Sequence, residues 1–139
     1  MTFLSLQLLA LPAIDFCDQY LQISDELNCS RKSHQNYFVH FGYKYCRKFI
    51  EKNSSFTIDG QEKLDQIRNC LIDELKLNRQ LTCQNSMELG YKSHVKCYIE
   101  NGYCEMNTRD ISNIFLVTFP EVIQKEYFPT ALKIRSHCQ

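Results

Sequence analysis

The chain has 139 residues, with 16 Lys plus Arg against 16 Asp plus Glu, so its formal charge is zero. That balance supplies no electrostatic footprint for nucleic acid or for an anionic membrane surface. Hydrophobic residues make up 44% of the chain and aromatics 12%, enough for a packed core and too many for a disordered chain.

Residues Met1 to Ile14 (MTFLSLQLLALPAI) carry no charged side chain and are mostly apolar. The run is too short for a membrane-spanning helix, which takes about 20 residues, and has the length of a signal-peptide apolar region. Ala10 and Ala13 are the small residues near a cleavage point. Residues 1–13 are therefore read as a signal peptide and 14–139 as a single domain, with a buried amino-terminal helix as the alternative. No later apolar run approaches spanning length, so no transmembrane segment is expected.

From Ser33 to Lys52, Tyr37, Phe41, Tyr45 and Phe49 recur every four residues with Phe38 beside them, an apolar stripe on a helix. Asp59 and Glu62 have capping-box spacing ahead of a second helix that puts Leu64, Ile67, Cys70, Leu71 and Leu75 on one face. A third helix is expected from about Gln80 to Ile99, aligning Cys83, Met87, Tyr91, His94 and Tyr98, and Asn101-Gly102 ends it. A fourth starts near Thr108 and presents Ile111, Ile114, Phe115 and Thr118. Pro120 interrupts it, and a last helical stretch reaches Cys138 with a kink expected at Pro129. Strand alternation is absent at useful length, and 4 Gly and 3 Pro are too few for a turn-rich β-sandwich. The fold class is all-α, a disulfide-stapled bundle of about four to five helices.

Eight cysteines, at positions 17, 29, 46, 70, 83, 97, 104 and 138, are an even count in a short chain. Behind an export signal that count reads as disulfides. No pair has Cys-x-x-Cys spacing, so neither a zinc knuckle nor a thioredoxin-type site is expected, and no metal or cofactor. Eight cysteines allow 105 pairings. Antiparallel packing of the second and third helices can bring Cys70 to Cys97, and a Cys104–Cys138 bridge would staple the last segment to the body.

The run Tyr45-Cys46-Arg47-Lys48-Phe49, then Phe56-Thr57-Ile58-Asp59-Gly60-Gln61, then Cys70-Leu71-Ile72, resembles the stanniocalcin family. The resemblance continues through Cys83, Cys97-Tyr98, Cys104, Leu116-Val117-Thr118-Phe119-Pro120, the aromatic pair Tyr127-Phe128 and Cys138, so it spans Cys17 to Cys138. Stanniocalcins are secreted helical glycoprotein hormones associated with calcium and phosphate balance, and they bind and inhibit large extracellular metalloproteases. The resemblance implies the pairs Cys17–Cys46, Cys29–Cys83, Cys70–Cys97 and Cys104–Cys138. All eight cysteines are then used, so a homodimer would form without an intermolecular cysteine. Vertebrate-type members have one further amino-terminal disulfide, for which this chain has no cysteines. The family's glycosylation sequon corresponds to Asn28-Cys29-Ser30; Asn53-Ser54-Ser55, on a polar connection, is the better acceptor.

No GxSxG, HExxH or P-loop is present, and His34, His40, His94 and His137 are scattered without cysteine partners. His94 lies on the apolar stripe of its helix and reads as a core histidine. Asp59-Gly60 lacks the alternating carboxylates of an EF-hand loop, so no calcium site is expected. No catalytic residue is assigned. The expected function is a secreted, non-enzymatic, stanniocalcin-like protein with hormone or signalling activity, acting on an extracellular receptor or protease by surface contact. The alternatives are a saposin-like lipid or membrane binder and a small secreted enzyme with polar side chains clustered in a cleft. A solid core with exposed patches favours the first, and a hollow core the second.

Overall fold

The computed structural model describes residues 15–138, and the expected signal peptide and its cleavage point lie outside them. Among the described residues there are six α-helices and no strand: α1 (Asp18–Glu26), α2 (Lys44–Glu51), α3 (Ile58–Leu77), α4 (Ser86–Glu100), α5 (Thr108–Thr118) and α6 (Phe128–Ser136). A π-helical turn, Phe38–Tyr43, runs directly into α2, and 3-10 turns at Asn53–Ser55, Tyr103–Glu105 and Glu121–Ile123 make connections.

The helix count exceeds the expected four to five because of α1, whose short span buries only Tyr20, Ile23 and Ser24. Covalent bonds hold it where apolar area is small: Cys17–Cys46 ties its start to α2, and Cys29–Cys83 ties the residues after it to the approach to α4. The helix expected from Ser33 starts later, because Asn36 acts as its cap. The Asn36 Oδ1 accepts from the Val39 amide at 3.2 Å, while its Nδ2 donates to the Ser24 hydroxyl at 2.8 Å and the Ser30 carbonyl at 3.1 Å. Buried Asn36 thereby satisfies a helix end and fastens it to α1.

Two other starts depart from the periodic reading. Thr57, in extended backbone, caps α3 by accepting from the Gly60 amide at 3.0 Å. Asp59 is not the cap; it sits inside the first turn and pairs with Lys63 at 2.5 Å. Helix α4 starts at Ser86 and not near Gln80, because side chains there bond the backbone in place of helical partners. Asn85 Oδ1 accepts from the Thr82 amide at 2.7 Å, and Asn85 Nδ2 donates to the Gln80 carbonyl at 2.8 Å. Pro129 produces no kink either. It lies in the first turn of α6, where its missing N–H leaves no helical bond unmade.

The stripes meet in one core. Leu64, Ile67, Leu71, Ile72 and Leu75 of α3 are buried, as are Tyr37, Phe38, Phe41, Tyr45 and Phe49. Helix α4 packs between α3 and α6 and contributes Cys97 and Tyr98. Rings stack and tilt at contact distance: Tyr37–Phe41 centroids are 5.4 Å apart, Phe41–Tyr127 5.1 Å and Tyr91–Tyr127 5.1 Å. The space among Tyr20, Tyr37, Phe41, Leu64 and Leu71 is about 40 Å³. That is room for a few water molecules and too little for a lipid chain, so no lipid-sized cavity opens there.

Candidate functional site

All eight cysteines are oxidised in four bridges with ordinary Cα–Cα spans: Cys17–Cys46 at 5.7 Å, Cys29–Cys83 at 5.5 Å, Cys70–Cys97 at 5.7 Å and Cys104–Cys138 at 5.0 Å. The two bridges suggested by helix packing, α3 to α4 and the end of α6 to the turn after α4, are among them. No cysteine thiol remains free, and among the described residues no His, Cys, Asp and Glu group is arranged to hold a metal ion. Four bridges without a free thiol are the state of a protein from an oxidising compartment. Among the described residues no helix is long and apolar enough to cross a membrane.

The histidines do not converge. His34 and His40 lie side by side at 6.2 Å on the surface, and His137 donates to the Lys133 carbonyl at the end of α6. His94 is buried among Tyr37, Phe41, Tyr91, Tyr98 and Tyr127. Its Nδ1 donates to the Gly90 carbonyl at 2.8 Å, and burial pushes the imidazole down to about 4. It is a neutral core group. The sequon residues also lie apart. Asn28 is exposed and in left-handed backbone (φ 56°) beside the Cys29 bridge. Asn53 is half-buried in its 3-10 turn and donates to Gln61 Oε1 at 3.1 Å.

What the fold does concentrate is exposed apolar surface. Nine large hydrophobic side chains are exposed among the described residues, and six of them fall in one stretch: Phe115, Leu116, Phe119, Ile123, Phe128 and Leu132. The stretch comprises the end of α5, the Glu121–Ile123 turn and α6, with a cis peptide between Phe119 and Pro120. Phe115 corrects an expectation. The periodicity groups it with the buried Ile114 and Thr118, yet α5 lies at the edge of the bundle and Phe115 is 45% exposed, with Phe119 at 6.1 Å from it. Leu116, at 68% exposure, has no such neighbour ring.

Between α5 and α6 this surface dips into a groove of about 210 Å³. Ile111, Ile114 and Phe115 form one wall, Phe128, Leu132 and Ile134 the other, and the rings of Tyr98, Tyr103 and Tyr127 are buried beneath. Arg135 is the one charged side chain on the lining. Spacing alone does not disclose the groove, because its walls come from segments that face each other only after α6 packs back against α4. The signal available in the chain is the pair of landmarks Leu116–Pro120 and Tyr127-Phe128, of which Thr118, Tyr127 and Phe128 line the groove. A stapled frame, a core too tight for a lipid chain and one apolar face make a surface suited to holding something by contact. No family model, curated protein or solved structure matches the chain.

Proposed function

We propose that this chain is a secreted, non-enzymatic, stanniocalcin-like protein with hormone or signalling activity that works by binding an extracellular receptor or protease through its α5–α6 face. The observation that carries the reading is the concentration of exposed Phe115, Leu116, Phe119, Ile123, Phe128 and Leu132 on one stretch of a chain whose core is too tight for a lipid chain. Apolar patches of this kind mark contact surfaces. Aromatic side chains at such a patch bring large area at low entropic cost, as interface anchors do. Of the residues shared with stanniocalcins outside the cysteines, Thr118, Tyr127 and Phe128 line the α5–α6 groove, which supports the partner class that the resemblance implies. Oxidised cysteines throughout agree with work outside the cell. The tight core favours contact at the surface over the saposin-like alternative, which needs helices that open around lipid.

Immobilised native chain tested against large extracellular metalloproteases and candidate receptors should retain one of them. Leu116→Glu combined with Phe119→Glu should weaken that binding at least tenfold, with the bridges and the thermal transition retained. No binding by the native chain across these partners would remove the reading. Binding that the double variant leaves unchanged would move the contact off this face.

A further inference from the structure

We infer that the α5–α6 groove is a binding site for a small amphiphilic anion, a medium-chain aliphatic carboxylate, lying with its charged head at the Arg135–Tyr103 end and its chain along the two helices. The groove has a polar end and an apolar end, and the topology says which is which. The Cys104–Cys138 bridge brings the Tyr103–Glu105 turn to the end of α6, so Tyr103, Ile111 and Arg135 share one end. Helix α6 begins beside the turn after α5, so Thr118, Val122 and Phe128 share the other.

Among the described residues the charge at the polar end has no ion-pair partner. Six ion pairs are formed among the described residues, and Arg135 belongs to none of them. No carboxylate lines the groove to oppose it. A guanidinium beside an apolar trough selects an anion that carries hydrocarbon, because a fork of N–H donors matches a carboxylate and the walls offer nothing to a second polar group. Tyr103, a buried tyrosine of the lining, belongs to the same end. Ile111 to Thr118 on α5 and Phe128 to Arg135 on α6 each cover eight residues, seven steps that total roughly 10 Å at the helical rise, which suits an extended chain of about eight carbons. The volume, about 210 Å³, is below the usual range for larger ligands and fits a slender one.

The site stands independently of the protein-partner reading, since a carboxylate can bind whether or not a receptor does. Calorimetric titration of the oxidised chain with octanoate, octanol and octylamine tests it. Octanoate should bind saturably, octanol about tenfold more weakly for want of the charge-assisted bond, and octylamine more weakly still. Arg135→Gln should lower octanoate affinity about tenfold, to the level of octanol, and leave octanol binding unchanged. Ala131→Trp, which fills the groove from α6, should abolish binding of both. If that variant fails to fold, the Arg135→Gln comparison decides alone. Equal binding of the three head groups, octanoate binding indifferent to Arg135→Gln, or binding to phosphatidylserine vesicles without binding of octanoate would each overturn the assignment.

Discussion

The carboxylate of Asp110 in the first turn of α5 receives both donors of Thr57: the amide at 2.9 Å to Oδ1 and the hydroxyl at 2.5 Å to Oδ2. Thr57 in turn accepts from the Gly60 amide, so one buried carboxylate holds the starts of two helices together. Glycine at position 60 makes the approach geometrically available, because a Cβ there would collide with the Asp110 carboxylate. Asn107 Oδ1, accepting from the Asp110 amide at 2.8 Å, fixes the orientation from the other side. The face proposed for binding is thereby anchored at the root of α5.

Removing that carboxylate should be costly. Asp110→Ala leaves two part-buried donors of Thr57 without their acceptor, and the loss expected is about 2 kcal/mol. Thr57→Ala removes the α3 cap and should cost about 1–2 kcal/mol. Because the two residues act through one another, the double variant should lose less than the sum. Urea unfolding of the three variants, with the denaturant slope unchanged, measures all of these.

His94 makes stability depend on pH. The unfolded imidazole titrates near 6.5, whereas the folded one, desolvated by five surrounding rings, is held down to about 4. Between these values the unfolded chain binds a proton that the native chain refuses. Its contribution is complete above about pH 6.5, falls as the pH drops through the window and levels off below about 4, a total on the order of 3 kcal/mol. His94→Phe should flatten the slope between about pH 6.5 and 5, where most carboxylates remain charged. Unfolding midpoints across that range check it, and a slope retained in the variant would place the titration elsewhere.

Much of this architecture is written in helical spacing. Leu64, Ile67, Leu71 and Leu75 recur at 3.6-residue period and are all buried, and so are Tyr37, Phe41, Tyr45 and Phe49. The ends are less legible. Ser33 and Gln80 look like starts, but Asn36 and the Asn85–Thr82 exchange prevail through bonds that only a particular loop path supplies. Helix α1 escapes notice because its small apolar set is held by disulfides, which periodicity does not register. Phe115 is misread since a pattern states which side chains share a helix face, not whether a neighbour covers that face. The groove is legible least of all. Tyr98, Ile111 and Arg135 become neighbours through a bridge between residues 34 positions apart.

That bridge should be what keeps the groove closed at its polar end. Replacing Cys104 and Cys138 by Ser together removes a loop constraint worth about 3–4 kcal/mol in the chain-entropy model. Helix α6 buries Ile134 but leaves Leu132, Lys133 and Arg135 exposed, so little apolar area compensates. Hydrogen exchange should accelerate across α6 far more than across α3, which keeps its own bridge to α4. Octanoate binding should disappear with the protection of α6. Equal acceleration in both helices would mean that the bridge supports the whole bundle.

The exposed face also bears on how the chain behaves at concentration. With 16 basic and 16 acidic side chains, copies experience no net repulsion near neutral pH, and the apolar stretch from Phe115 to Leu132 is free to meet another copy. Leu116→Glu and Ile123→Glu replace two side chains that are 68% and 53% exposed and bury little in the fold. Each should change stability by no more than about 0.5 kcal/mol. Together they add two negative charges to a neutral chain, so light scattering measured against concentration should show less self-association than in the native protein. Self-association left unchanged would mean that copies meet through another surface. A large loss of stability would mean that Leu116 or Ile123 packs within the fold more tightly than its exposure indicates.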